Sequence, residues 1–451
     1  MIMAQLEALP PKRIHHSKDG VHIFVNPYWG GKFVTDDQGA LVIEMMDHEN
    51  DEDRLVQQIA DRLNINPYEA AARLVAFTEQ LYKRRMLGQA EGFSPDNPKP
   101  DFGFLEVTRK CDTRCRLCYV DSGRELPDTL TAEEIYKTID QMAELGVENI
   151  ALTGGDPLTR ADLPDILDYI RKQKGLRPAI STSLLSLTRE LAQKMAELDV
   201  AVQISLDGCT PETNDWNRGQ GSFEKTMAGI QLLNEHGVVF RFAFVINKHN
   251  LPDIKEMVAL GIELGAREVA FGKVKLAGRA AALNEAVVPS TEEMIGAYHQ
   301  LYRCDFDVKN SGLKVRCKHN QALLAGLDNR VGCLPCGAGR TFVHVTYNGD
   351  VIPCSLFNGC RDFTLGNVHH DRLTDLWQSS PIFRYFRQTT ADDIGACRDC
   401  PVKYLCGGGC RADAYLGAGS TDAVCSDCED LLAYYNWILD RGCQAKYITA
   451  F

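Results

Sequence analysis

Between residues 100 and 303 the chain alternates two hydrophobic rhythms. Short, nearly continuous apolar runs at Phe102–Val107, Asn149–Thr153, Ala179–Thr182, Ala201–Ser205, Phe240–Ile246 and Glu268–Lys275 read as buried strands. Between them, near Ala132–Leu145, Leu163–Lys174, Arg189–Leu198, Phe223–His236 and Leu251–Leu264, apolar residues recur at helical spacing. Thr131 with Glu134, and Ser290 with Glu293, form capping boxes before the first of these helices and before one after the sixth strand. Six strand–helix units imply parallel strands with right-handed crossovers, hence an α/β fold with a partial (βα)6 barrel of the TIM type. Functional loops in such barrels lie at the C-terminal ends of the strands.

The flanks follow other patterns. Residues 1–90 read as a small winged-helix-like α+β domain. GVHIFVN and GKFVTDD form short strands around the turn NPYWGG, and helices follow at Gly39–Met46, Asp51–Leu63 and Tyr68–Arg85. In the last helix Ala71, Leu74, Val75, Phe77, Leu81 and Tyr82 form the apolar face. GQAEGFSPDNPKPDFG reads as a linker. The expected domains are 1–90, 91–303 and an irregular, cysteine-rich 304–451.

Charge and composition narrow the partners. The net charge is −12, which disfavours nucleic acid, because phosphates are neutralised by Lys and Arg. No apolar run reaches membrane length, and the first residues hold no uninterrupted signal-peptide core, so a cytoplasmic protein is expected. Seventeen cysteines without an export signal point to metal rather than disulfides. Cys209, Cys304 and Cys443 lie outside the clusters and read as ordinary thiols.

Cys111, Cys115 and Cys118 form a Cys-x3-Cys-x2-Cys run just after the first barrel strand. Three thiolates so spaced can hold three corners of a [4Fe–4S] cube and leave one iron open for the amino and carboxylate groups of S-adenosylmethionine. The competing reading is structural zinc, which usually takes four ligands in Cys-x2-Cys pairs. The run and its surroundings resemble the radical S-adenosylmethionine superfamily, whose members cleave that cofactor to a 5′-deoxyadenosyl radical. Leu117 stands where the family usually has an aromatic residue, with Tyr119 just beyond. The resemblance implies cofactor contacts by Gly154, Gly155, Asp156 and Pro157, where Asp156 replaces the family's usual glutamate. It implies further contacts by Ser205, Asp207 and Arg218.

Farther on, Cys336, Gly349 and Cys354 are followed by Cys397-x2-Cys400-x5-Cys406-x3-Cys410 and Cys425, a pattern that resembles the SPASM auxiliary-cluster domain. Position by position, the resemblance assigns Cys336, Cys354 and Cys410 to one [4Fe–4S] cluster. It assigns Cys397, Cys400, Cys406 and Cys425 to another. The fourth ligand of the former is Cys333, Cys317 or an open position, and Cys360 and Cys428 are spare. VTYNGDVIPC reads as a hairpin turning at Asn348-Gly349 and presenting Cys354. Sulfatase maturases of this class carry an acid where this chain has Ser355, which argues against that activity.

Residues 1–90 resemble a PqqD-like peptide-recognition element. A leader would add along the edge at Lys32–Asp36 and lie against Tyr68–Arg85. Together the resemblances imply a peptide maturase with three [4Fe–4S] clusters and S-adenosylmethionine. It would form a thioether or carbon–carbon crosslink in a ribosomally made precursor and draw electrons from a ferredoxin or flavodoxin. The alternatives are a haem b or d1 tetrapyrrole enzyme and a zinc-bearing binding protein.

Overall fold

The computed structural model describes residues 13–26, 31–49, 51–84, 86–87, 98–123, 130–308, 311–317, 336–443 and 448–451. The strands β1 (Ile14–Lys18), β2 (Val21–Asn26) and β3 (Gly31–Thr35) form an antiparallel sheet in that order. Three helices follow, α1 (Asp37–His48), α2 (Glu52–Leu63) and α3 (Pro67–Lys83). Asp36, Asp51 and Asn66 cap them by accepting from backbone N–H groups, as short polar side chains do at helix starts. The α3 face differs from expectation at two positions. Leu74, Phe77 and Leu81 are buried, whereas Val75 and Tyr82 are 41% and 59% exposed, because Ala70 and Thr78 complete the inward stripe.

The barrel strands are β4 (Phe102–Thr108), β5 (Asn149–Gly154), β6 (Arg177–Thr182), β7 (Ala201–Ser205), β8 (Phe240–Ile246) and β9 (Glu268–Lys273). Neighbours pair in parallel, in sequence order. The intervening helices are α4 (Ala132–Glu144), α5 (Leu163–Asp168), α6 (Arg189–Glu197), α7 (Pro211–Arg218), α8 (Ser222–Glu235) and α9 (Ile254–Glu263), with α10 (Thr291–Asp307) after β9. Both expected capping boxes form. Helix α7 was not foreseen, since it is short, polar and shows no helical apolar period.

The sheet extends beyond the six strands. β10 (Lys314–Cys317) joins β9, and β11 (Phe342–Val345) joins β4, both in parallel. β12 (Asp350–Ile352) and β13 (Gly366–Asn367) follow antiparallel. The expected hairpin is β11–β12, with Gly349 left-handed at φ 84°. Helices α11 (Leu373–Ser379), α12 (Pro381–Gln388), α13 (Lys403–Cys406), α14 (Arg411–Ala418) and α15 (Cys428–Cys443) complete the chain.

A buried ionic lock holds this C-terminal region to the barrel. Lys273 Nζ lies 2.5 Å from Asp430 Oδ2 and 3.4 Å from Asp427 Oδ1, and Lys275 meets Asp413 at 3.3 Å and Asp427. Burial works against the Lys275 charge, but Asp427 and Asp413 outweigh it and raise its pKa. No helix among the described residues is long and apolar enough to cross a membrane.

Candidate functional site

The loop after β4 carries Cys111, Cys115 and Cys118 at the C-terminal face of the sheet. Its shape is set by groups that bind its backbone. Asn217 accepts from Leu117 N–H at 2.9 Å, and its carbonyl accepts from Arg116 N–H at 2.9 Å. Arg279 donates to the Cys115 carbonyl at 2.8 Å and pairs with Asp121 at 2.9 Å. Arg109 donates to the carbonyls of Val120 and Asp121. The thiols are left to face their own surroundings. Thr113 Oγ1 lies 3.4 Å from Cys111 Sγ and 3.2 Å from Cys115 Sγ, and Ser122 N–H donates to Cys118 Sγ at 3.3 Å. Burial pushes the Cys111 thiol up, and Thr113 partly offsets this. Leu117, at the usually aromatic position, packs with Val274, Ala280 and Val287.

The other expected contacts flank this loop. A Cβ on Gly154 would strike the Thr108 carbonyl, and one on Gly155 the Lys110 carbonyl, so both must be glycine. Pro157 is buried at the start of a short 3₁₀ turn. Asp156 is turned inward. Its carboxylate accepts from Thr182 Oγ1 at 2.8 Å, Ser183 N–H at 2.8 Å and Ser183 Oγ at 2.7 Å, and burial raises its pKa. Thr182 and Ser183 thus hold the Asp156 side chain toward the next loop. Ser205 ends β7, half-buried. Asp207, 1% exposed, pairs with Arg218 Nη2 at 2.7 Å and accepts from Asn217 Nδ2 at 2.6 Å. Arg218 Nη1 reaches to 3.9 Å from Cys115 Sγ, while its Nε is buried without a partner. Burial disfavours the guanidinium charge, but Asp207 and Cys115 outweigh this and raise its pKa.

The C-terminal thiols fall into two sets. Cys354 feels Cys336 and Cys410 and is pushed well up by burial, and Cys410 is pushed up to about 11. The second set lines one cavity: Cys397, Cys400, Cys406, Cys425 and, unassigned from sequence, Cys428. Burial and neighbouring thiols push Cys406 up to about 12 and Cys428 up to about 11. A Cβ on Gly409 would strike Cys425 Sγ, which explains one glycine of the Gly407–Gly409 run. Among the candidates for a fourth partner to Cys336, Cys354 and Cys410, Cys317 lies buried on β10 near Tyr298 and Tyr435. Cys360 lies near Asp362 and Tyr415, and Cys333 lies outside the described residues.

Burial disfavours the thiolate at these cysteines, so the grouping of the thiols, not their titration, is what fits a cluster whose irons bind thiolate and release the proton. The orphaned Arg218 Nε and the glycine cradle fit an anionic ligand beside the triplet. Among the described residues no group of three His, Cys, Asp or Glu side chains is placed to hold a single metal ion. The described cysteines from Cys111 to Cys428 are all free thiols.

One polar group between the two regions escaped the sequence reading. Glu106, 2% exposed on β4, accepts from Asn358 Nδ2 at 3.1 Å and lies 3.0 Å from His344 Nε2 on β11. Tyr119 keeps 43% of its surface exposed, but its hydroxyl end is enclosed beside Ser355, Glu106, Cys118 and Cys354. Burial pushes that hydroxyl up to about 12. The available signal was an acid inside the apolar strand FGFLEVT.

Family models place these features. The Radical SAM superfamily model matches residues 105–261, the iron-sulfur cluster-binding domain 336–401, and coenzyme PQQ synthesis protein D residues 22–87. The first two imply [4Fe–4S] clusters and S-adenosylmethionine. AdoMet-dependent heme synthase of Oleidesulfovibrio alaskensis is 32% identical over 338 residues, covering 70% of this chain and 83% of that protein. Mycofactocin maturase MftC of Mycobacterium ulcerans is 30% identical, covering 72% and 86%. The crystal structure of Streptococcus suis SuiB bound to S-adenosylmethionine superposes with a TM-score of 0.61 at 17% identity, over 93% of this chain and 99% of that one. Relatives this similar over most of their own length, with three domain matches in the order of the three structural regions, make the chain a radical SAM enzyme with a PqqD domain before the barrel and an iron–sulfur domain after it.

Proposed function

We propose that the chain is a peptide maturase that crosslinks a ribosomally made precursor through a thioether or carbon–carbon bond, in domains 1–90, 91–303 and 304–451. The observation that carries this over other radical reactions is the PqqD match at 22–87, on a small sheet whose strand β3 lies at an edge. Mycofactocin maturase among the relatives supports the same substrate class.

In this reading Cys111, Cys115 and Cys118 hold the cluster that binds S-adenosylmethionine. Cys336, Cys354 and Cys410 hold the first auxiliary cluster, and Cys397, Cys400, Cys406 and Cys425 the second. When bound, these groups supply hydrogen abstraction from carbon and an acceptor for the electron left when the crosslink closes. Arg218, held by Asp207, presents its guanidinium to the cofactor carboxylate, and Gly154 and Gly155 let backbone approach it. Ser205, at the end of β7, would contact the ribose. The Glu106 carboxylate, which His344 and Asn358 hold in place near Tyr119 and Ser355, would accept the substrate's proton. Glu106→Gln tests that step: crosslinked product should fall while cofactor cleavage continues, and an equal fall in both would reject the role. Reduction comes from a ferredoxin or flavodoxin.

The deciding experiment incubates the reconstituted chain, S-adenosylmethionine and a reductant with candidate precursor peptides, taken from any short reading frame found beside its gene. Loss of the mass of two hydrogens per crosslink is expected. The second reading, a tetrapyrrole enzyme, is favoured by the heme synthase relative. It predicts turnover of a haem precursor with residues 1–90 removed and none of the peptide.

A further inference from the structure

Residues Ile448–Phe451 lie along β3. Thr449 bridges Thr35 in the parallel sense, its N–H donates to the Val34 carbonyl at 2.9 Å, and its carbonyl accepts from Thr35 Oγ1 at 2.5 Å. The side chains alternate as in a strand, with Ile448 44% exposed and Phe451 9% exposed. Phe451 enters the N-terminal domain's own core and meets Phe77 of α3 edge-on at 5.2 Å. Phe77 in turn meets Phe33 of β3 edge-on at 5.1 Å. The Phe451 carbonyl accepts from Arg73 Nη1 at 3.4 Å. The chain thus seats its own extended segment between the β3 edge and α3, with one aromatic anchor. An edge strand offers its backbone to any extended chain, and a side-chain pocket then selects among them. Among the described residues the contact is short, one bridge with three hydrogen bonds and one buried ring, so its opening is a local event.

We propose that residues 448–451 occupy the cleft between β3 and α3 in the resting chain, and that a peptide partner with an aromatic anchor binds there by displacing them. Naming that partner as the precursor's leader rests on the maturase reading; the occupied cleft does not.

The test uses the complete chain, the same chain lacking residues 448–451, and a fluorescein-labelled synthetic peptide of residues 445–451 followed by anisotropy. The shortened chain should bind this probe roughly tenfold more tightly than the complete chain, the factor for a cleft open in one molecule in ten. A probe with Asp in place of Phe451 should not bind. Equal binding by both chains overturns the proposal. Should circular dichroism show the shortened chain unfolded, Phe451→Ala in the complete chain is read the same way: a rise in probe affinity supports the proposal and no change overturns it. Displacement of bound probe by the precursor, but not by a scrambled leader, identifies the partner. A probe that binds the shortened chain yet resists the precursor overturns the leader assignment and leaves the cleft standing.

Discussion

The thiols of the barrel and those of the C-terminal region are organised in opposite ways. Cys111, Cys115 and Cys118 share one loop after one strand, and Asn217, Arg279 and Arg109 shape that loop through its backbone. Cys336, Cys354 and Cys410 meet from separate segments, and five further thiols line a cavity built from a loop, a four-residue helix and the start of α15. The first site's thiols come from one short run whose loop is held through its backbone, so the site can be open on one side without cost to the fold. The others are buried thiols that repel one another once charged, and filling them stabilises the surrounding structure.

The largest expected contrast comes from removing ligands. Changing Cys111, Cys115 and Cys118 together to Ala should abolish cofactor cleavage and, with the three clusters proposed above, remove about a third of the iron. The thermal midpoint of the loaded protein should stay nearly unchanged; a large drop would show that the barrel site too is structural. Cys406→Ser or Cys410→Ser should instead stop product formation and lower the midpoint, while uncoupled cofactor cleavage, followed by chromatography of 5′-deoxyadenosine, persists. Stripping all iron with a chelator should likewise melt the C-terminal region first in hydrogen-exchange measurements.

The ionic lock between the two regions comes next. Asp430→Ala leaves Lys273 with a weaker buried pairing and should cost about 3 kcal/mol in denaturant unfolding. A change below about 0.5 kcal/mol, the level of ordinary surface substitutions, would mean the lock contributes little. Arg218→Lys should raise the KM for S-adenosylmethionine by about tenfold, or ~1.4 kcal/mol, because an ammonium cannot keep the fork shared between Asp207 and a carboxylate. An unchanged KM would remove Arg218 from the cofactor site. The smallest effect sharpens the comparison itself. Cys428→Ser should leave iron content unchanged, whereas Cys425→Ser should lose about a third, since a cube takes four ligands and the cavity offers five thiols. The reverse result would exchange the two residues in the assignment.

Much of the barrel was legible because its signals are local. Strands Ala201–Ser205 and Phe240–Ile246 end where their apolar runs end, and Thr131 and Ser290 cap the helices their spacing marks. Asn348-Gly349 turns the hairpin as read. Illegible were contacts between distant segments. The Glu106–His344 pair joins residues 238 apart, and Lys273–Asp430 joins residues 157 apart. Neither leaves a periodic trace. Asp156 was placed on the right loop, but its direction was set by Thr182 and Ser183 on the next one.

By itself, the order of residues determined the alternation of strand and helix, the caps, the turn at Gly349 and the triplet, because each depends on neighbours within a few positions. Only the tertiary structure decided that Cys428 shares a cavity with Cys425, that two lysines at and just beyond the end of β9 meet three aspartates, and that Phe451 fills the cleft beside Phe77. Those outcomes depend on which distant surfaces are buried against each other. Burial, acting on polar and apolar groups together, selects them only once the whole chain has packed.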